Sequence, residues 1–404
     1  MSHIQGRRAI VLVIDACGVG ALPDAARYGD QGTNTLGHLA EAVGGLELPT
    51  MGALGLGSIL PLRGVTPSAH PAIHGRLHPL GPGKDSISGH WELMGVTLAR
   101  ALPTYPAGFP PELLERLTAA MGHEVICNRP DNGLAAIAEF GAEHLRTGAL
   151  ILYTSQDSVL QLAAHRDRLT PDELYRACAA ARTTMTGEHA VGRVIARPFT
   201  GAEGSFERTA GRRDFSLAPP GRSYLQELQS VAVPVHGVGK ISDLFAGVGI
   251  SVSHAGATNA QALASVEALL DRDERGLLFV NLIETDQVYG HRKDAAGFAR
   301  ALRAIDDALA QLLTRLGAED LLIVTADHGV DPLHPGTDHT REYAPLLALT
   351  GTMREDAQAE IRGGSGGGPR GARHDGPLAD VGASVLDWLS GERAESLPGR
   401  SFLS

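Results

Sequence analysis

Three short apolar runs stand out along the chain, and each leads into an aspartate. They are "AIVLVID" (Ala9 to Asp15), "LLFVNLIETD" (Leu277 to Asp286) and "LLIVTADHG" (Leu321 to Gly329). Near-continuous apolar runs of this length, rich in β-branched residues, predict buried parallel strands. Between the last two lies "DAAGFARALRAIDDALAQLLTRLG", where Phe298, Leu302, Ile305, Leu309, Leu312 and Leu316 recur at spacings of four and three. That is one face of an amphipathic helix, with Gly317 placed to cap its end. Strand, helix and strand form a βαβ unit, whose crossover sets both strand ends on one edge of the sheet. In open α/β sheets that carboxyl edge is where ligands bind.

From about Arg100 to Pro220 the pattern of runs ending in aspartate stops. "GALILYTSQDSVLQLAAH" offers a strand, a polar loop and a further apolar segment, and Val191 to Ser216 carries five arginines with little helical periodicity. We read residues 101–220 as an inserted, smaller α/β domain. It splits a core made of residues 1–100 and 221–404, and "APPGRS" supplies loop chemistry at one boundary. The expected fold class is therefore α/β, a central and mostly parallel sheet flanked by helices, with a second α/β domain inserted. "GGSGGGPRG" (Gly363 to Gly371) is expected to be a mobile, non-catalytic loop on composition.

Composition narrows the class. A chain of 404 residues suggests two or three domains, and 43% hydrophobic with 20% charged residues is soluble and globular. The net charge of −11 argues against nucleic-acid or anionic-membrane partners, whose phosphates attract basic surfaces. A small phosphorylated substrate held by a few Arg and Lys stays open. The three cysteines, Cys17, Cys127 and Cys178, are scattered and fit a reduced, cytoplasmic protein. Arg7 and Arg8 before an apolar run resemble a signal peptide, but the run is too short and Asp15 ends it. No stretch is long and apolar enough to span a bilayer.

The acids at the run ends have histidines beside them. Asp286 is followed five residues later by His291, Asp327 and His328 are adjacent, and His339 comes eleven residues after His328 in "GTDHTRE". With Asp15, that makes three Asp and three His expected at one sheet edge. Carboxylate oxygen with imidazole nitrogen suits Mn, Zn or Fe, and oxygen-rich sites also take Mg. Six such donors suffice for two ions, and a metal pair can stabilise both the attacking and the leaving oxygen of a phosphoryl transfer. Each piece alone reads as a cap or a solvated loop; their coincidence favours a metal site. Spacing does not say which donors share an ion.

"GPGKDSISGHWELMGV" (Gly81 to Val96) supplies candidate nucleophiles in Ser86 and Ser88, with Gly81 and Gly83 for a tight turn and Lys84 for charge. A serine needs a base or a metal to attack at neutral pH. The stretch is not a phosphate-binding P-loop, which needs Gly at His78 and Ser or Thr at Asp85. "GVGALP" fails the dinucleotide pattern because Pro23 takes the third glycine's place, so neither ATP nor NAD has motif support.

Taken together, "DACGVGALPDAARYGDQGTNTLGHLAE", "GKDSISGHWELMGV", "YTSQDSVLQLAAH", "VGRVIARPF", "GVGKISDLF", "DQVYGHRKD" and "TADHGVDPLHPGTDHTREYAPLLA" resemble the phosphopentomutases of the alkaline phosphatase superfamily. The matches keep the family's order and cover nearly the whole chain. The resemblance implies an alkaline-phosphatase-like core, with the insert as a cap domain closing over the metal edge. It implies interconversion of ribose or deoxyribose 1-phosphate and 5-phosphate, two Mn²⁺ ions or other divalent cations, and priming by a bisphosphosugar such as glucose 1,6-bisphosphate or ribose 1,5-bisphosphate. Asp286, His291 and His339 would hold one ion, and Asp15, Asp327 and His328 the other. Ser86 would be the phosphorylated nucleophile, bridging the ions when phosphorylated. Ser155 and Asp157 would face the sugar, and Arg193, Arg208 and Lys240 would take the distal phosphate, for which a guanidinium fork is well shaped.

This chain departs from the family in carrying Ser86 where Thr is usual and "CNRPDNGLAA" (Cys127 to Ala136) where "HSSGT"-like residues are common. "LIETDQVYG" also differs. The changes leave the catalytic centre intact and bear on the choice of phosphosugar. The alternatives are a mutase for another phosphosugar, a metal-dependent phosphatase or phosphodiesterase of the same superfamily, and a non-catalytic metal-binding scaffold.

Overall fold

The first apolar run becomes β1 (Arg8–Ile14), buried at all seven positions. The computed structural model describes residues 6–361 and 371–403, with only the backbone of Glu360. The glycine-rich stretch from Gly363 therefore lies outside the described residues up to its last member, Gly371. The chain divides into two compact units: the residues up to Ala101 with those from Pro219 onward, and Leu102–Ala218.

Strand β2 (Ile73–His78) follows β1 in the first unit. The second unit holds β3 (Val125–Pro130), β4 (Leu150–Thr154), β5 (Val159–His165), β6 (Arg193–Thr200), β7 (Glu207–Arg208) and β8 (Arg213–Ser216). The chain returns to the first unit with β9 (Val235–Val238), β10 (Val252–His254), β11 (Gly276–Leu282), β12 (Asp320–Thr325), β13 (Ala344–Thr350) and β14 (Gly376–Pro377).

The first unit is built on an eight-stranded sheet in the order β10-β9-β11-β1-β12-β13-β2-β14. From β10 to β12 all neighbours are parallel, and β13 runs antiparallel between β12 and β2. This is the mostly parallel α/β sheet expected from the apolar runs. Ile14 pairs with Leu282, and Val13 with Thr325, so β1, β11 and β12 end nearly level. The helix Ala295–Arg315 carries the chain from β11 to β12 and buries Phe298, Leu302, Ile305, Leu309, Leu312 and Leu313. Each such side chain contributes about 1.5–3 kcal/mol on burial, so a single face holds the helix.

Two sequence expectations need correction. Gly317 does not cap the helix in a left-handed conformation. Leu316 ends it by turning extended (φ −66°, ψ 135°) and burying its side chain, and the Gly317 amide donates to Asp320 Oδ2 at 2.7 Å. Only Asp15 directly follows its strand. β11 stops at Leu282 and β12 at Thr325, so Asp286 and Asp327 lie in the turns beyond.

The second unit has a six-stranded sheet, β3-β4-β5-β6-β7 with β8 also on β6. Leu113 and Leu117 of the Pro111–Met121 helix and Leu174 and Cys178 of the Pro171–Thr184 helix pack with Leu150, Leu160, Leu162 and Val194 of the sheet. The Gly133–Thr147 helix packs Ala136 and Ile137 with Ile151, Tyr153, Ala163 and Phe199, residues of the alternate register. The strands therefore bury side chains on both faces, as continuous apolar runs demand. Among the described residues no helix is long and apolar enough to cross a membrane.

Candidate metal centre

Four strand ends deliver the site in the first unit. β1 leads into Asp15, and β12 into Asp327 and His328. Antiparallel β13 starts at the same edge, which brings in His339 just ahead of Ala344. β2 also ends there, and the turn after it leads into the Ser86–Leu93 helix. Asp286 and His291 need a different device. Residues five apart on an α-helix point about 140° away from each other. Here Thr285–Gly290 forms one π-helical turn, in which the His291 amide donates to Asp286 O at 3.2 Å. The wider turn brings the two side chains together.

Asp286 Oδ1 lies 3.4 Å from His291 Nε2 and 3.5 Å from His339 Nε2. His328 Nε2 lies 3.4 Å from Asp15 Oδ1 and 3.3 Å from Asp327 Oδ2. The rings of His328 and His339 are 4.2 Å apart between centroids. Donor atoms of Asp15, Asp327 and His328 fall within 4.8 Å of one another, and so do those of Asp286, His328 and His339. The six residues are thus one continuous cluster, with His328 in reach of both halves. The Nδ1 atoms of His291 and His328 face the carbonyls of Thr337 (2.7 Å) and Gly329 (3.2 Å). A carbonyl only accepts, so Nδ1 carries a hydrogen, and Nε2 is the nitrogen that each ring offers to a cation.

The donors fit divalent cations. Among the described residues, Asp286 Oδ1, Asp327 Oδ2 and His339 Nε2 are buried with no hydrogen-bond partner. Buried polar atoms in that state are costly unless something completes them, and oxygen with imidazole nitrogen is a donor set for Mn, Zn or Fe. The electrostatics agree. Burial and the neighbouring Asp327 charge push the Asp15 carboxyl up. Burial also opposes ionisation of Asp327, but the charges of His328 and His90 prevail and hold it down to about 2. Burial likewise works against Asp286, and His291 and His339 outweigh it and hold that carboxyl well below its ordinary value. Positive charge on imidazole stands in for the charge that a cation brings.

The two candidate serines separate cleanly. Ser86 is the first residue of its helix, and its Oγ lies 3.1 Å from His328 Nε2 and donates to Asp15 Oδ1 at 3.4 Å. Ser88 Oγ is taken up by Asp85 Oδ2 at 2.6 Å, and the same Asp85 caps the helix through the amides of Ile87 and Ser88. Lys84 Nζ lies 3.1 Å from both Asp30 and Asp338. The other polar residues of the "TADHGVDPLHPGTDHTRE" loop are engaged in holding it. Asp331 accepts from the amides of Asn34 and Leu333, and His334 Nε2 faces Gly29 O at 3.0 Å.

Lys240 follows β9 in the first unit, and its Nζ donates to Gln287 Oε1 in the π turn at 2.6 Å. In the second unit Arg193 stands 3.8 Å from both Asp157 and Asp214, and the Asp157 amide donates to Ser155 Oγ at 3.3 Å. Arg208 is not beside them along the sheet. It pairs with Phe199, six residues past Arg193 on β6, on the order of 20 Å of strand.

Sequence reasoning missed the residues that orient the acids. Asn281 Nδ2 donates to Asp15 Oδ2 at 2.9 Å, and Thr285 Oγ1 to Asp15 O at 2.6 Å. An asparagine inside the apolar run "LLFVNLIETD" was the available signal. Glu342 is buried and accepts from the Thr35 amide and hydroxyl, the Thr340 hydroxyl and the Gly20 amide.

The family model described as the Metalloenzyme superfamily matches residues 7–392. A phosphopentomutase of Caldanaerobacter subterraneus subsp. tengcongensis is 49% identical over 88% of this chain and 91% of its own length. That of Anaeromyxobacter sp. (strain K) is 49% identical over 99% of each chain, and that of Herpetosiphon aurantiacus 45% identical over 98% of each. The chain belongs to the phosphopentomutase family, within the metalloenzyme superfamily.

Proposed function

We propose that this isomerase interconverts ribose or deoxyribose 1-phosphate and 5-phosphate through a phosphorylated Ser86 and a pentose bisphosphate. The observation that carries the reading is the Ser86 hydroxyl, set against His328 and Asp15 at the buried acid and imidazole cluster. In the forward step a sugar hydroxyl oxygen forms a bond to the phosphorus of phosphoserine. The bond from phosphorus to Ser86 Oγ breaks, and the hydroxyl proton ends on Ser86 Oγ. The bisphosphate then gives its other phosphoryl group back to Ser86 by the reverse exchange. Two divalent cations, Mn²⁺ in this reading, held by Asp286, His291 and His339 and by Asp15, Asp327 and His328, would neutralise charge on the transferring group and lower the pKa of the Ser86 hydroxyl.

Asn281 and Thr285 hold Asp15 in place, and the carbonyls of Thr337 and Gly329 fix the imidazole tautomers. Ser155 and Asp157 are assigned to the sugar, and Arg193 and Lys240 to the phosphate that is not reacting; Arg208, on the order of 20 Å of strand from Arg193, is not carried into that assignment. A bisphosphosugar such as glucose 1,6-bisphosphate or ribose 1,5-bisphosphate would load Ser86 at the start. We assign the activity to the cytoplasm.

The test is phosphorus NMR on the protein with Mn²⁺, ribose 1-phosphate and a trace of bisphosphate primer. Ribose 5-phosphate is the expected product. Inorganic phosphate as the sole product would make the protein a hydrolase of the same superfamily, and absence of turnover with tight Mn²⁺ binding would make it a metal-binding scaffold.

A further inference from the structure

The "GHWE" stretch, Gly89 to Glu92, has no task in the reading above. The structure spends all four positions on seating the Ser86–Leu93 helix. A Cβ on Gly89 would stand 2.4 Å from Asp327 O and 2.7 Å from Asp327 Cβ, so only glycine lets the helix lie against the turn that carries Asp327. Trp91 Nε1 donates to Leu244 O at 2.8 Å. Glu92 accepts from the amides of Leu80 and Gly81 and so shapes the turn that leads into Ser86.

His90 sits between these anchors and is fully buried. Its Nδ1 lies 2.8 Å from Ser86 O and 3.1 Å from Asp327 Oδ2. The carbonyl only accepts, so Nδ1 is the donor. The Oδ2 approach lies off the line of a hydrogen bond, since Oδ2 itself has no hydrogen-bond partner. One N–H thus faces both the backbone of the nucleophile and the free oxygen of a cation ligand. The other ring nitrogen, Nε2, is buried without a partner. A residue kept only for packing would be apolar and avoid that penalty, so the imidazole is retained for Nδ1.

We infer that His90 is a positioning residue: its Nδ1–H bonds the Ser86 carbonyl, and the same edge of the ring lies 3.1 Å from Asp327 Oδ2 as an electrostatic contact, so that nucleophile and cation seat stay in register. This rests on the assignment of Ser86 as nucleophile and Asp327 as ligand.

The test compares His90→Asn, which keeps a donor where Nδ1 stands, with His90→Leu, which keeps bulk and removes it. Each variant is assayed for kcat and KM with ribose 1-phosphate. Each is also titrated with Mn²⁺ by calorimetry after metal stripping. For His90→Leu we expect kcat down about 100-fold with KM changed less than about twofold, and one of the two Mn²⁺ affinities weakened about 10–100-fold. His90→Asn should stay within about fivefold of the parent on both readouts. A leucine variant that binds both ions like the parent, or an asparagine variant that loses as much as leucine, overturns the inference. If circular dichroism shows the leucine variant unfolded, His90→Gln replaces it, because its donor stands in the place of Nε2. Glutamine performing as well as asparagine then overturns the inference, and glutamine falling short supports it. Ser86→Ala and Asp327→Asn run alongside. Turnover by the first, or parental Mn²⁺ binding by the second, would show that the underlying assignment fails, which is distinct from a failure of His90.

Discussion

The two ends of β1 and β12 hold buried aspartates in opposite circumstances. At the amino end Asp320 meets Arg8, its partner in the strand register, through Nε–Oδ1 at 3.0 Å and Nη2–Oδ2 at 2.7 Å. At the carboxyl end Asp15 is held by the Ser86 hydroxyl and the Asn281 amide, whereas Asp327 Oδ2 has imidazoles beside it and, among the described residues, no hydrogen bond. The first carboxylate is completed by the chain itself. The second needs a cation that the chain does not supply. Glu342 sharpens the lesson, because it stands at the same carboxyl edge and is completed by four donors. Position at the edge does not make an acid a ligand; a shortage of donors does.

The comparison can be broken by mutation. The largest expected effect is on chemistry: Ser86→Ala should lower turnover on the order of 10⁴-fold or more while metal analysis still finds the parental Mn²⁺ content. Loss of metal together with activity would mean that Ser86 acts through the cations alone. Next, Asp327→Asn should weaken one Mn²⁺ affinity on the order of 100-fold and leave denaturant stability of the stripped protein close to the parent. Asp320→Asn should do the reverse, costing about 3–5 kcal/mol in denaturant unfolding because it strands a buried guanidinium, with Mn²⁺ titration unchanged. Equal Mn²⁺ losses in the two variants would erase the distinction between the strand ends. The smallest effect belongs to Glu342→Gln. It should cost about 1–3 kcal/mol of stability and leave both Mn²⁺ affinities within about twofold of the parent, because Glu342 is spent on Thr35, Thr340 and Gly20.

The parallel centre of the sheet was legible because β1, β11 and β12 are buried on both faces, which writes a continuous apolar run into the sequence. Six clustered donors were legible for a related reason: the runs end in acids at one edge. The meeting of Asp286 with His291 was not, since a spacing of five faces apart on an ordinary helix and only the π turn repairs it. Gly317 misled because glycine after a helical pattern is the usual left-handed cap, whereas here a buried leucine turned the chain first. The roles of Asn281 and His90 were hidden because they act across the fold on Asp15 and Asp327, and linear spacing does not report partners hundreds of residues away.

The place of β1 between β11 and β12 has a consequence for how the molecule is made. β1 leaves the ribosome well before its partners, which begin only at Gly276 and Asp320. At ordinary synthesis rates it waits on the order of 10–50 s for the first of them. During that interval the Leu102–Ala218 unit can close its own sheet, while "AIVLVI" remains an unpaired apolar segment and a natural client for a holding chaperone. Asp15 travels with it, unable to meet its cluster until His339 has emerged, so the acid and imidazole cluster is completed only after the more than three hundred residues between them have been built.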